Sequence, residues 1–131
     1  MPFVNVHRNA RISPSKIRPV MDLIRGKKIE EALAILEMSK RRGAVLIKAS
    51  LNAAIANADR AEADVRALVV TDARIDKGIV MKRFQPKDRG RAHSILKRFS
   101  HITVAVDVKP EGETKKGKKT KKAKTEAAAA N

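Results

Sequence analysis

The sequence predicts an α+β protein whose helices come before its strands, and three observations carry that expectation. Apolar residues recur at helical spacing in three segments between Ser13 and Arg60. From Val65 the period changes to that of a sheet. Two more strand-like arms then flank Arg89-Gly90-Arg91 and end in Ile102-Thr103-Val104-Ala105-Val106.

Phe3, Val4 and Val6 give a weak strand signal over residues 3–11. Ser13-Pro14 announces a helix, because serine caps and proline suits the first helical position. Ile17, Val20, Met21 and Ile24 follow as a buried stripe, and Gly26 is expected to close the helix in a left-handed C-cap. Ile29, Ala32, Leu33 and Leu36 predict a second helix, with Glu30 and Glu31 at its positive end. Ser39 to Gly43 reads as a break. An alanine-rich third helix, punctuated by Val45, Leu46, Leu51 and Ile55, runs from Ala44 to Arg60 as the central core helix. A strand is expected over Val65–Ile75, followed by turn chemistry at Asp76-Lys77-Gly78.

The length of 131 residues suits one compact domain. With 43% hydrophobic but only 2% aromatic residues, the core must be built from Ala, Val, Ile and Leu. There are 30 Lys and Arg against 14 Asp and Glu, a net charge of +16 that calls for a polyanionic partner. The segment from Asp107 onward holds eight basic and four acidic residues, so the body keeps most of the excess. That segment is low in apolar content, and 108–131 is expected to be a disordered Lys/Ala-rich tail on a single domain spanning 1–107. The chain has no cysteine, which excludes disulfides, zinc knuckles and thiol chemistry. No apolar run approaches the roughly 18 residues of a membrane helix, and a signal-peptide core is absent. The expectation is a soluble cytoplasmic protein with no membrane partner.

The arms around Gly90 carry Lys82, Arg83, Lys87, Arg89, Arg91, Lys97 and Arg98, opposed only by Asp88. Alternate strand residues face opposite ways, so adjacent cations charge both faces and neither can enter a core. Arms of about a dozen residues would project on the order of 40 Å. An isolated two-stranded ribbon is marginal in water, so something external must hold it. A solvated basic loop is the plain alternative, but Val80, Phe84, Ile95, Leu96 and Phe99 are out of place in one. With the turn centred between Arg91 and Ala92, Phe84 and Phe99 would form a cross-strand pair; base stacking is the rival use.

A second basic group, Arg8, Arg11, Lys16, Arg18, Arg25, Lys27 and Lys28, surrounds the first strand and helix. His7, His93 and His101 have no metal-ligand spacing, and His93 and His101 are candidates for RNA contact instead. Asp72 and Asp76 share a strand face about 13 Å apart. No base, nucleophile or phosphate loop joins them, so they read as a solvated edge or partners for nearby Arg and Lys. With no catalytic constellation the expected job is structural, without cofactor, metal or small-molecule substrate.

The run Met81-Lys82-Arg83, Pro86, Gly90-Arg91-Ala92, Ile95-Leu96-Lys97-Arg98 and Ser100-His101-Ile102-Thr103-Val104 resembles the hairpin of large-subunit ribosomal protein twenty-two, bacterial type. His7-Arg8, Ala10-Arg11, Lys16, Arg18 and Asp22 to Lys28 resemble its first strand and helix, and Ala54 to Ala58 the end of its long helix. The resemblance covers about residues 3–107. It implies three helices packed on a small antiparallel sheet, with a long protruding β-hairpin over about 79–106 and its tip near 88–92. It implies binding to large-subunit (23S-type) ribosomal RNA, linkage of several RNA domains early in assembly, and contact with the neighbouring tunnel-constriction protein four. Carried over by position, Lys82, Arg83, Lys87, Lys97 and Arg98 would touch RNA. Arg89, Gly90, Arg91 and Ala92 would line the polypeptide exit tunnel, facing the nascent polypeptide. The tail and the bulk of Phe84 and Phe99 depart from the family pattern. The alternative is an architectural DNA-binding protein with basic β-arms and Pro86 as a wedge, which predicts a dimer and DNA bending.

Overall fold

The computed structural model describes residues 1–108; beyond Val108 the expected tail lies outside the described residues. Strand β1 (Phe3–Ala10) leads into helices α1 (Pro14–Ile24), α2 (Ile29–Met38) and α3 (Arg42–Arg60). After a single 3-10 turn, Val65–Ala67, come two long strands, β2 (Leu68–Pro86) and β3 (Ala92–Val108). The fold is the expected α+β arrangement, three helices on a three-stranded antiparallel sheet of order β1-β3-β2. The late strand β3 is central because it pairs with β1 over Phe3–Ala10 and with β2 along its whole length.

The helical stripe forms as its spacing dictates: Ile17, Val20, Met21 and Ile24 are at most 1% exposed. Helix α3 supplies Ala44, Ile47, Leu51, Ala54 and Ala58 to the same core, and its small residues let it lie close to β1 and β3. The sheet answers with Leu68, Val70, Ala73, Ile102, Val104 and Val106. No aromatic side chain therefore enters the fully buried centre, and Phe3 packs only at its edge. Val45, expected among the apolar residues of α3, is exposed on its outer side.

Five local expectations are corrected. Ser13 does not cap α1 with its side chain; its hydroxyl instead meets that of Ser15 at 2.8 Å. Gly26 does adopt φ +73°, but α1 has already ended at Ile24. Arg25 is extended and Lys27 N–H donates to Ile24 O, so Gly26 occupies the third position of a type II turn. Gly26 N–H donates to Val70 O and Val70 N–H to Lys27 O, tying this turn to the edge of β2.

The break before α3 is shorter than expected. The helix starts at Arg42 and includes Gly43, packed on Ile17. Asp76-Lys77-Gly78 is no chain reversal. Strand β2 passes through it, with a register shift between Lys77 and Val80. Gly78 eases this: a Cβ there would stand 3.1 Å from the carbonyl carbon of Phe99, so a larger residue would push the strands apart by a few tenths of an ångström.

The hairpin register is the fifth correction. Phe84 faces Ser94 and Pro86 faces Ala92, leaving Lys87–Arg91 as the tip, centred on Arg89. Arg89 and Gly90 both have left-handed backbones, φ 58° and 71°, and Lys87 N–H donates to Arg91 O at 2.7 Å. Two successive positive φ values reverse the chain earlier than a turn between Arg91 and Ala92 would. Phe84 and Phe99 consequently do not meet.

Candidate nucleic-acid interface

From Ile79 to Arg98 every residue is exposed except Ile95, which is half-buried. The eight β2 residues from Ile79 to Pro86 make a free arm of about 26 Å. It is shorter than the sequence suggested because Phe99 to Val106 returns into the core sheet. Register now assigns the faces. Val80, Lys82, Phe84, Leu96 and Arg98 share one, while Met81, Arg83, His93, Ile95 and Lys97 share the other.

The cations are staggered. Arg98 faces Val80, Lys97 faces Met81, Lys82 faces Leu96 and Arg83 faces Ile95, so no two cations stand directly opposite. Like charges in that position are destabilising, and here each cation lies over apolar surface instead. Among the described residues no carboxylate pairs with any cation of the ribbon. The Arg83 guanidinium reaches only Lys82 O, at 3.0 Å, and the Met81 sulfur. At the tip Lys87, Arg89, Arg91 and His93 surround a small cleft with Asp88 the sole acid.

The root of the ribbon is held in place by two long-range hydrogen bonds. The fully buried Ser100 hydroxyl donates to Ile12 O at 3.1 Å, and Asn9 N–H donates to His101 Nδ1 at 3.1 Å. Asn9 has φ 56°, a left-handed conformation that asparagine tolerates well. Together they fasten the β1–α1 connection beside the β3 arm. Arg11 and Lys16 are thereby brought to Lys97 and Arg98 around a cleft of about 660 Å³. Arg42, at the start of α3, joins them. No acidic side chain lines this cleft, so its field attracts anions.

The second basic group does not stay together. Helix α1 separates it, carrying Arg11, Lys16 and Arg18 to the ribbon root and Arg25, Lys27 and Lys28 to the far end of the sheet. Arg25 donates to Ala73 O through Nε and Nη2, at 3.2 and 2.6 Å, and pairs with Asp22 at 3.0 Å. Lys27 lies 3.6 Å from Glu31. Lys28 is exposed beside Val69, and Arg8 is exposed on β1. His101, half-buried with its Nδ1 engaged, has a bracing role, whereas His93 is fully open.

Asp72 and Asp76 behave as arginine partners, with Arg74 Nε 3.9 Å from each. Among the described residues no group of three or more His, Asp or Glu could hold a metal ion, and no helix is long and apolar enough to cross a membrane. Sequence reasoning missed Arg42 and Lys77. The run Lys40-Arg41-Arg42 was a usable signal that reading it as a break concealed. Residues 5–107 match the family Ribosomal protein L22p/L17e, and the chain belongs to this family of large-subunit ribosomal proteins.

Proposed function

We propose that the chain binds large-subunit ribosomal RNA through its free ribbon and the basic cleft at the ribbon root. By holding both at once it links RNA domains during early assembly, acting as a structural constituent rather than an enzyme. The observation that carries this reading is the exposed run from Ile79 to Arg98, whose cations have no carboxylate partners among the described residues. Such a ribbon is marginal alone, and phosphates supply both neutralisation and a surface to lie on. Folded RNA is read largely by shape and backbone, which suits a reader almost without aromatics.

In this reading Lys82, Arg83, Lys87, Lys97 and Arg98 lie along RNA, with Arg11, Lys16, Arg18 and Arg42 at the root. Arg89, Gly90, Arg91 and Ala92 line the polypeptide exit tunnel, near the tunnel-constriction protein four and the nascent chain. The resemblance of the hairpin motif supports that placement, and a cytoplasmic large subunit is where it operates. Family membership favours this over DNA architecture.

Sucrose-gradient fractionation at moderate and high salt tests the reading. The full chain should stay with the large subunit at high salt. A variant with Arg11, Arg42, Lys97 and Arg98 changed to Ala should leave it as salt rises. Release of the unaltered chain at moderate salt would overturn an embedded ribbon.

A further inference from the structure

A second cleft adjoins the basic one, on the β2 side of the ribbon root. It has a volume of about 390 Å³ and shares Ser13, Ser15, Leu96 and Arg98 with its neighbour. Its chemistry differs. Pro14, Val80 and Leu96 form apolar walls, and Arg18, Lys77 and Arg98 stand around them. Gly78 also lines the cleft, and the close approach it allows between β2 and Phe99 shapes this end of the ribbon. Val80 and Leu96 remain 42% and 43% exposed, so apolar surface is left open to water directly beside three cations.

We propose that this cleft receives an unpaired nucleobase of the bound RNA, with its flanking phosphates on Arg18, Lys77 and Arg98. The inference rests on the RNA-binding reading and adds a site to it. The walls and the rim make opposite demands on a partner. Aliphatic walls want a flat apolar face, while cations lining the same cleft, with no carboxylate among them, want negative charge. An unstacked nucleotide presents both within one residue, and single-stranded bulges are where proteins take RNA bases out of a helix.

The neighbouring cleft completes the geometry. Arg11, Lys16, Arg42 and Lys97 line it with far more polar surface, beside Ile12, Ile95 and Leu96. A strand of RNA crossing the β3 arm at Leu96 would lay phosphates in the basic cleft and a base in the apolar one. Ser13 and Ser15 stand between the two. Ser13 does not cap α1 through its side chain; its hydroxyl meets that of Ser15, and the pair keeps lone pairs and one donor for a base edge or a ribose 2′-hydroxyl. The readout belongs to Leu96 and Val80 together; Phe84, 79% exposed nearer the tip, has no such enclosure.

The test uses the full chain with two RNA duplexes that differ only by a single bulged adenosine. The bulged duplex is expected to bind about fivefold tighter, the lower end of the range for one stacked base, because aliphatic walls receive it. Carbon-labelled methyls of Val80 and Leu96 should shift upfield by the base's ring current. In Leu96→Ser the preference for the bulge should collapse, and an unchanged melting temperature shows the variant folded. Equal binding of both duplexes without methyl shifts would overturn the cleft while leaving RNA binding intact. Failure to bind either duplex would overturn both readings. Methyl shifts produced by an acidic amphipathic peptide and not by the bulged duplex would assign the cleft to a protein partner and overturn the proposal.

Discussion

Strand β2 lives in two environments. Between Leu68 and Ile75 it buries Leu68, Val70, Ala73 and Ile75 and turns Asp72 and Arg74 outward. From Ile79 to Pro86 the same strand is exposed at every position. Strand pairing does not end at the bulge, since β3 stays paired out to Pro86↔Ala92. What ends is the cover: β1 stops pairing at Ser100, and beyond it the first turns of α1 and α3 flank only the ribbon root. The comparison teaches that hydrogen-bonded strand and stable core are separate matters. The first half is held by the chain itself, and the second by register, staggered charges and whatever lies against it.

That division can be broken by mutation. Substitutions in the body should alter stability, and substitutions in the ribbon should alter RNA affinity. The largest effect is expected at the ribbon root. Replacing Arg11, Arg42, Lys97 and Arg98 by Ala should make log affinity fall less steeply with log salt, by about one unit of slope for each phosphate left without its cation. Urea melting should move by less than about 0.5 kcal/mol at each of these exposed sites. Filter binding over a salt series reads the first quantity. A slope that did not change would place the RNA elsewhere.

Ile47 gives the reverse case. It is fully buried on α3, and Ile47→Ala should cost about 2–5 kcal/mol in urea unfolding. Arg25→Ala sharpens the split within the basic residues themselves. It should cost about 1 kcal/mol through removal of the bonds to Ala73 O, discounted for a half-exposed side chain, and leave RNA affinity unmoved. Arg18→Ala should do the opposite.

Gly43→Ala should stabilise the body, by up to about 1 kcal/mol. Its Cβ would meet Ile17 at 3.5 Å, an ordinary van der Waals distance, in the first turn of a long helix. The smallest effect is pH-dependent. The Lys48 ammonium donates to Glu37 Oε1 at 2.8 Å and, with its charge, holds that carboxyl below its usual range. A depressed folded-state value contributes stability above the unfolded one and loses it as pH falls through the folded one. Lys48→Ala should therefore weaken the pH dependence of melting below about pH 4.3.

The helices were readable from sequence because burial on one side of a helix leaves a periodic trace, as Ile17, Val20, Met21 and Ile24 do. The charged arms were readable for the converse reason, since adjacent cations at Lys82-Arg83 and Lys97-Arg98 deny both faces to a core. The register was not. It depends on Arg89 taking a left-handed backbone that favours glycine and on a bulge at Gly78 that looks like a turn in one dimension. The separation of Arg25 and Lys27 from Lys16 was equally hidden. Which end of α1 meets the ribbon is fixed by Ser100 and His101 gripping Ile12 and Asn9, across about ninety residues of chain.

Hydrogen exchange on the full chain, free and with large-subunit ribosomal RNA, tests the central claim most directly. In the free chain the amides of Ile79 to Arg98 should exchange rapidly while those of α3 are protected. Binding RNA should slow exchange across the ribbon and its root and leave α2 unchanged. Protection gained on α2 alone, with the ribbon exchanging at its free rate, would contradict the account.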